Sequence, residues 1–488
     1  MSIGVVEKVV GTVAVMAVVL GGGSYWTGRW IEQEFREGVD RAARHGAVTM
    51  SVAGPVTVSM VDYQRGVFGA SARTDVVFLM PSEDESSGVT PVTMSIVHSV
   101  RHGPLPALTA AARVRSEMQL TEETVVQFNE LFGGDPFGGK APLVIDTVIG
   151  WGGEKRLRLA SPKFEAVMKD QTRVSWGGLK SEIVVGSGLS HKKASFEMGG
   201  LSFIKNDDDI IRVEFVKLKL DAVRAKEFEF ISTGTTSLDL GKLHFRGVAD
   251  NGAVHGVEFE NFRIVAAASM KDGALGTEVK FDADRVLLEG ATKETVDRPR
   301  LTFLMENLDA GAYDAIMNAM QKTLYEEQEG EEVSGLDTIL QEQSKILLLR
   351  KPSVSIKDAS AHWPEGVVTG GFRIAYTGDG NIHPDSLPLS GLSGDLQLVV
   401  PRALMVRQMS LQVSEEVSDM LEDGEEADIN IGKETQEQVD KQIAAMLKNG
   451  LFVEKGDTLT VNAQLEGGEL SLNGRPQPLE MLLGLLPF

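Results

Sequence analysis

The chain contains no cysteine among its 488 residues. Without thiols it can form neither a disulfide nor a thiolate nucleophile, and cysteine-ligated metal sites are excluded as well. A cytosolic protein of this size usually contains some cysteine. The absence therefore weakly favours a protein of the cell envelope that is large enough to fold without covalent cross-links.

Basic residues are scarce too. The 70 acidic residues outnumber the 48 lysines and arginines, which gives a formal net charge of −22. A surface this negative repels phosphate backbones, so we expect no nucleic-acid partner. Proline is also rare, with 17 residues against 52 glycines, and this balance suits a chain with many tight turns.

The sequence lacks the motifs by which common enzymes are recognised. It has no Gly-x-Ser-x-Gly elbow, no His-Glu-x-x-His metal helix, no Walker loop and no Gly-x-Gly-x-x-Gly fingerprint. His98 and His102 come nearest to a metal pair, but their neighbours predict an extended strand. Residues four positions apart in a strand lie about 13 Å apart, which is too far to hold one ion. We therefore expect a structural or hydrogen-bonded role for both histidines, no metal and no cofactor.

An uncharged segment, 9–28, lies near the start of the chain. As a helix it would be about 30 Å long, the thickness of the hydrocarbon core of a bilayer. Tyr25 and Trp26 stand at its far end, where aromatic rings favour the membrane–water interface. We predict a cytoplasmic head over 1–8 and a transmembrane anchor over 9–28. A cleaved signal peptide is the alternative, because small residues occupy 21–24, but the apolar run is long and no Ala-x-Ala site precedes the break.

After a short amphipathic helix, apolar and polar residues alternate along much of the chain, as Val213 and Phe215 do with their neighbours. This alternation predicts antiparallel strands with one buried face and one solvent-exposed face. Asn251-Gly252 and Asp272-Gly273 each separate two such runs, and both dipeptides predict type I′ hairpin turns. A change of phase across Gly241 predicts a bulge or a sharp bend.

Helical periodicity returns at Leu308, Ala312 and Ile316. We predict a strand-rich region with amphipathic helices over 29–139, a central antiparallel β meander over 140–305, a helical segment over 306–350 and a C-terminal α/β region over 351–488. The fold class is therefore α+β and β-dominated: an N-terminal transmembrane helix followed by a large curved antiparallel sheet with helical insertions.

A candidate docking patch follows the first predicted strand and consists of Tyr63, Arg65, Gly66 and Phe68. The competing interpretation is structural: a strand that ends in a bulge at Gly66, with Tyr63 and Phe68 packed inward. The structural interpretation is favoured, because aromatic side chains near strand ends usually bury area that stabilises the fold by a few kcal/mol.

Four short motifs give the chain a family resemblance. They are Trp26-Thr27-Gly28, the segment 63–68 (YQRGVF), the segment 102–105 (HGPL) and the segment 470–474 (LSLNG). In this order and spacing the chain resembles the YdgA-like family of bacterial envelope proteins, whose domain has no known function. The resemblance implies an inner-membrane anchor with the bulk of the chain in the periplasm, and it implies no catalytic residues.

Two functional classes remain open. The first is a non-enzymatic envelope protein, a scaffold or a binder of a hydrophobic ligand such as lipid, or of another envelope protein. The second is a periplasmic hydrolase with an unrecognised active site, which is supported only by His98 and His102. Apolar helix surface in 306–350 and 436–449 and the apolar segment 479–488 also predict a homo-oligomer, with a dimer as the simplest case.

Overall fold

The computed structural model describes residues 56–65, 69–81, 89–102, 110, 112–187, 190–205, 208–228, 230–248, 254–290, 292–329, 336–378, 391–422 and 431–478. The predicted head and anchor (1–28), Gly66, Phe68, the Asn251-Gly252 turn and the segment 479–488 lie outside these residues. Among the described helices, none combines the length and the apolar character needed to cross a bilayer.

The described chain divides into two compact units. Unit 1 comprises the described residues through Lys226 together with Gly234–Gly247. Unit 2 comprises Glu227–Thr233 and the described residues from Val248 onward. Both units are built mainly from antiparallel strands, so the predicted β-dominated α+β class with a large antiparallel sheet is confirmed for the described residues.

Unit 1 contains the first strands and one helix. The strands are β1 (Val56–Arg65), β2 (Gly69–Pro81), β3 (Val89–His102), β4 (Ala112–Leu120), β5 (Val144–Ile149), β6 (Lys155–Ser161), β7 (Phe164–Val167), β8 (Arg173–Trp176), β9 (Leu179–Val185), β10 (His191–Lys205) and β11 (Asp208–Arg224), followed by β12 (Ser232–Val248), and helix α1 spans Glu122–Phe132. Antiparallel pairing gives the order β1-β2-β3-β4-β5-β6-β9-β10-β11. Strand β8 pairs with the second half of β10 and with β7.

The core of unit 1 follows from the period of the strands. On β4, Ala112, Val114, Ser116 and Met118 are buried while the residues between them are exposed or half-buried. Equivalent residues of β2, β3, β5 and β6 pack with them into one cluster. One face of these strands therefore forms the core, as the alternation in the sequence predicts.

Unit 2 contains a second run of strands and four helices. Its elements are β13 (Val254–Lys271), β14 (Ala274–Asp282), β15 (Arg285–Glu289), β16 (Lys293–Asp309), α2 (Ala310–Glu329), α3 (Leu336–Leu349), β17 (Ser353–Trp363), β18 (Gly366–Tyr376), β19 (Leu392–Pro401), α4 (Arg402–Glu422), α5 (Ile431–Lys448), β20 (Val453–Lys455), β21 (Thr458–Glu466), β22 (Glu469–Leu472) and β23 (Arg475–Gln477). Strands β14 and β15 together fill the place between β13 and β16. The order then continues β16-β17-β18-β19-β21, with β22 and β23 beyond β21.

Two helical hairpins interrupt the strands of unit 2. Helices α2 and α3 pack together between β16 and β17, and α4 and α5 pack together between β19 and β20. In the second hairpin, Val439 and Ile443 of α5 are buried against Met409 and Val413 of α4. The apolar stripe predicted over 436–449 is therefore buried between α4 and α5.

Helix α3 presents apolar side chains differently. None of its described residues is buried. Ile339, Ile346 and Leu349 are 37%, 42% and 59% exposed, respectively. The exposed apolar surface that was predicted for the helices in 306–350 is therefore found on α3.

Hairpin turns in unit 2 have the backbone that their sequences predict. Asp272 and Gly273 have φ angles of 51° and 72°, and the flanking Lys271 and Ala274 pair across the turn. Two successive positive φ angles define the type I′ turn, so the prediction for Asp272-Gly273 is confirmed. Asn473-Gly474 makes the same turn between β22 and β23, with φ angles of 50° and 78°.

The side chain of Asn473 also ties three pieces of backbone together. Its Nδ2 donates to the carbonyl oxygens of Gly450 and Leu451 at 2.8 and 3.1 Å, and its Oδ1 accepts from the amide of Asn462 at 2.9 Å. We expect Asn473→Ala to lower the free energy of unfolding of unit 2 by about 2 kcal/mol, because these bonds and an easy left-handed backbone are lost together. Asn473→Gly is the matched control, since glycine keeps the backbone freedom and loses only the bonds. Urea denaturation of both variants checks this, and equal losses would contradict the backbone contribution.

Candidate ligand-binding site

Irregular backbone positions line up across the sheet of unit 2. Asn261 in β13, Arg298 in β16 and Asp358 in β17 have positive φ angles of 50°, 47° and 55°. Non-glycine residues rarely adopt this conformation inside strands except at bulges, which bend the strand and increase its twist. The pairing registers of β16–β17 and β17–β18 shift at these positions. We call this row of positions the bend line.

Hydrogen bonds hold the bend line where β14 gives way to β15. The amide of Asp284 donates to the carbonyl of Glu260 at 3.0 Å, and the amide of Arg298 donates to the carbonyl of Asp284 at 2.8 Å. The Asn261 Nδ2 donates to the Asp284 carboxylate at 2.6 Å. Asp284 therefore links β13 to β16 through its backbone, and its side chain adds a second bond to β13.

The positive φ angle at Asn261 changes which side chains share a face. In a regular strand, residues three apart point to opposite faces. Here the rings of Phe259 and Phe262 lie 5.4 Å apart, centroid to centroid, at an interplanar angle of 55°. The irregular backbone at Asn261 thus brings two aromatic rings to the same cavity.

That cavity is an apolar trough of about 360 Å³ along the bend line. Its bulky apolar lining residues are Phe259, Phe262, Phe281, Val286, Leu301, Val368 and Leu398, and its small ones are Ala283, Ala359, Ala361 and Gly370. The volume is at the lower end of the range, roughly 300–1,000 Å³, that is usual for ligand pockets.

Polar groups are few in this lining. Besides Pro299, the remaining lining residues are Asp282, Arg300 and Ser360. The Arg300 Nε donates to Ser360 Oγ at 2.8 Å, so these two polar side chains are bonded to one another. Such a surface suits hydrocarbon, because hydrogen-bonded recognition of a polar ligand needs several convergent donors or acceptors.

The trough continues into a wider apolar face. Residues of β18, β19 and β21 that share this face are Val368, Gly370, Phe372, Ile374, Leu396, Leu398, Val461, Ala463 and Leu465. At the β21 end the face is packed with Leu451, Phe452, Leu470 and Leu472. On β18 it is open, with Ile374 44% exposed. This set of residues is referred to below as the apolar face.

His98 lies in unit 1 and has the hydrogen-bonded role predicted for it. Its Nε2 lies 2.9 Å from Thr74 Oγ1, and its Nδ1 lies 2.8 Å from Ser116 Oγ. The imidazole is buried in the strand core, and this burial lowers its pKa to about 4. His102 ends β3 and pairs with Ala112, and its side chain lies outside the described residues.

The predicted docking patch falls at the β1–β2 hairpin of unit 1. Tyr63 is half-buried and packs against the core cluster of that unit, which agrees with the structural interpretation of this residue. Arg65 pairs with Ala70, and its side chain lies outside the described residues, as do Gly66 and Phe68. The docking role of the patch stays a prediction.

The trough escaped the sequence-based search, although one signal was present. Val257 and Phe259 occupy odd positions and Phe262 and Ile264 even ones, so the alternation changes phase between 259 and 262. A bulge is the usual cause of such a change. Bulges were considered only at Gly241 and Gly66, where a glycine makes an irregular backbone easy, and not at this change of phase.

Comparison with known proteins gives one family. Residues 6–480 match the model of a family described as "Bacterial protein of unknown function (DUF945)". No curated protein and no solved structure shows significant similarity to the chain.

Proposed function

The chain belongs to this bacterial family of unknown function, since the match covers nearly its whole length, and from this premise we propose that it is a non-enzymatic envelope protein that binds a hydrophobic ligand. The motifs around Trp26, Tyr63, His102 and Asn473 favour the YdgA-like group within such proteins. The uncharged segment 9–28 supports an inner-membrane anchor, with the remainder of the chain in the periplasm.

The observation that carries the proposal is the trough of unit 2. It combines a ligand-sized volume with a lining of aromatic, aliphatic and small residues. A lipid acyl chain matches this chemistry. Each methylene that it buries contributes about 0.8 kcal/mol to the free energy of binding and needs no hydrogen-bond partner. The exposed β18 part of the apolar face, around Ile374, would give the acyl chain further apolar contact.

A periplasmic hydrolase remains the alternative proposal, and its strongest candidate base is weak. A general base must reach the proton that it removes from a substrate or water. Both ring nitrogens of His98 are instead engaged by Thr74 and Ser116 inside the core of unit 1. The binding proposal is therefore the better supported of the two.

Self-association is a further part of the proposal. The exposed apolar residues of α3, Ile339, Ile346 and Leu349, support contact with a second copy. Anchors in one membrane would also raise the effective concentration of neighbouring chains. Light scattering of the purified chain checks this, with Ile346→Glu expected to shift a dimer toward monomer. A wild-type monomer at micromolar concentration would contradict it.

A carboxylate in the trough should prevent ligand binding. Val368 lines the trough, whereas its neighbour Val367 is 42% exposed on the opposite face of the same strand. We expect Val368→Glu to weaken binding of a dansyl-labelled C11 fatty acid to the full-length chain at least tenfold, about 1.4 kcal/mol. The reason is that the new charge must be desolvated or the hydrocarbon displaced.

The matched control is Val367→Glu, which adds the same charge to β18 away from the trough. It should bind the probe as the wild type does. Fluorescence titration measures both variants, and organic extracts of the purified proteins identify any co-purifying lipid by mass spectrometry. Equal weakening by the two substitutions, or no probe binding by the wild type, would contradict the trough as the binding site.

A further inference from the structure

The outer face of the strands in unit 1, opposite the core of that unit, departs from the acidic character of the chain. The whole sequence has 70 acidic residues against 48 basic ones. On this face of β4, β5, β6, β9, β10 and β11 the basic residues are the more numerous. The cations are Arg113, Arg115, Arg156, Arg158, Lys180, Lys193, Lys217 and Lys219, and the carboxylates are Glu117, Asp146, Glu182, Glu197 and Asp221, with Glu154 beside β6.

A pocket of about 370 Å³ lies at the β9–β12 end of this face. It belongs wholly to unit 1, because its two residues from β12 fall within Gly234–Gly247. Its lining consists of Glu182, Val184, Lys193, Ala194, Ser195, Lys219, Leu220, Asp221, Thr235 and Ser237. Polar side chains predominate, in contrast to the trough of unit 2, so this pocket suits a ligand that is recognised by charge and by hydrogen bonds.

The two carboxylates of the pocket are already paired with cations. The Glu182 Oε1 lies 3.2 Å from Arg158 Nη2 and 3.7 Å from Arg156 Nε. The Asp221 Oδ2 lies 3.1 Å from Lys193 Nζ. Neither carboxylate therefore leaves an uncompensated negative charge that would repel an anionic ligand.

Lys219 is the surplus cation of the pocket. It stands directly opposite Ser195 in the pairing of β10 with β11. Glu197, the next carboxylate along β10, pairs instead with Lys217 at 2.9 Å. Lys219 itself forms no ion pair with the residues that the structure describes. Its ammonium group can therefore pair with an anion from solution at no cost in existing ion pairs.

Hydroxyl groups complete the set of donors around Lys219. Ser195, Thr235 and Ser237 all line the pocket. Each hydroxyl can donate to an anionic oxygen and can also accept from a hydroxyl of a ligand. Lys193 supplies a second ammonium group, because exposed ion pairs such as the one that it forms hold only weakly.

We propose that this pocket binds the phosphate group of a phosphorylated polyol, with Lys219 as the main partner of its charge. Hydrogen bonds from ammonium groups to phosphate oxygens are among the stronger ones in proteins, and the three hydroxyls add donors to the same oxygens. Glu182 and Asp221 then accept from the hydroxyls of the polyol. A free phosphate ester and the head group of a phospholipid share this chemistry. The site is separate from the trough of unit 2 and does not depend on its function.

Isothermal titration calorimetry of the full-length chain tests the proposal with two probes. Glycerol 3-phosphate represents the free ester, and monomeric dihexanoyl phosphatidylglycerol represents the lipid head group. We expect at least one of them to bind with a Kd of about 1 mM or tighter. Lys219→Gln should weaken that binding at least tenfold. Lys219→Arg should keep it within threefold, because arginine retains the positive charge and the phosphate-binding donors.

The matched control is Lys217→Gln, which removes a cation from the same face of β11 but outside the pocket lining. It should bind the probe as the wild type does. Lys219-dependent binding of glycerol 3-phosphate alone assigns the site to a soluble ester, and of the lipid alone to a head group. Equal weakening by the two glutamine variants would overturn the proposal, because the effect would then be one of general surface charge. Absence of binding by the wild type, or binding that Lys219→Gln leaves unchanged, would overturn it as well.

Discussion

Lowering the pH from 6.5 to 4 should destabilise unit 1 by about 3 kcal/mol through one side chain, His98. The cause is burial, which lowers the pKa of this imidazole from 6.5 to about 4 because the charged form would lose its hydration in the strand core. In the unfolded chain the same imidazole titrates near its ordinary value.

The direction follows from proton uptake. Between pH 6.5 and pH 4 the unfolded chain binds a proton at His98 and the folded chain does not, so acid favours unfolding. The contribution of His98 to stability is complete above pH 6.5 and falls steadily until about pH 4. A gap of about 2.5 pKa units corresponds to about 3 kcal/mol.

His98→Gln is the variant that isolates this effect. A glutamine amide can donate to one hydroxyl and accept from the other, so it can bridge Thr74 and Ser116 without titrating. We expect the stability of the wild type, relative to this variant, to fall over the pH window. Urea denaturation at several pH values, with hydrogen exchange of β3 and β4 peptides to localise the transition, measures it. Parallel pH profiles for the two proteins would show that His98 does not carry the effect.

The strands were predictable because their signal is local and repeated. Val213 and Phe215 lie in β11 as predicted, but the alternation breaks at Phe215, which has a φ of 48° and is 46% exposed, and the buried face passes from Val213 to Val216. Asp272-Gly273 makes the expected turn. Residues 310–329 and 336–349, within the predicted helical segment, form α2 and α3. These features depend on periodicity and on backbone preferences of single residues, which a sequence displays directly.

The bend line could not be predicted from the sequence, because the types of its residues do not indicate a positive φ angle inside a strand. Asn261, Arg298 and Asp358 adopt positive φ angles that cost non-glycine residues about 1 kcal/mol or more. Pairing with neighbouring strands on both sides compensates for this cost, and pairing partners are not visible along the chain. At Gly241 the structure shows a close approach, because a Cβ there would lie 3.0 Å from the carbonyl oxygen of Glu214. The bulge or sharp bend predicted there stays a prediction.

The position of the candidate trough could not be predicted from the sequence. The hypothesis of a hydrophobic ligand rested on the strand-rich body and on the lack of nucleophile motifs, whereas the place of the trough depends on which strands meet. Phe259, Leu301 and Val368 are far apart in sequence and line one trough. His98 was the reverse case, since its extended neighbours alone predicted a strand position and a hydrogen-bonded role.

Arg407 of α4 is the centre of an ion-pair cluster in unit 2. Its Nη1 lies 2.5 Å from Glu294 of β16, and its Nε lies 2.6 Å from Glu365 in the β17–β18 turn. The two carboxylate side chains are only 11% and 19% exposed. The guanidinium also lies 5.8 Å from the centre of the Trp363 ring. The Arg407 guanidinium thus forms ion pairs that link α4 to β16 and to the β17–β18 turn.

Arg407→Met should lower the free energy of unfolding of unit 2 by about 3 kcal/mol. Methionine retains much of the packing on Trp363, but it leaves Glu294 and Glu365 shielded from water without a counter-charge. Denaturation experiments, read out by hydrogen exchange in α4 and β18, measure the loss. Because partly exposed ion pairs contribute less than buried ones, a value below 1 kcal/mol would place this cluster among ordinary surface pairs.

The triple variant Arg407→Met/Glu294→Gln/Glu365→Gln separates the ion pairs from the uncompensated carboxylates. If most of the loss in Arg407→Met comes from stranding two buried charges, neutralising both should restore most of the stability, because uncharged groups of similar volume often replace a buried ion cluster at little cost. If the ion pairs themselves stabilise unit 2, the triple variant should remain as unstable as the single one. We expect recovery of more than half of the loss, and its absence would show that attraction between α4 and the sheet outweighs the desolvation of the charges.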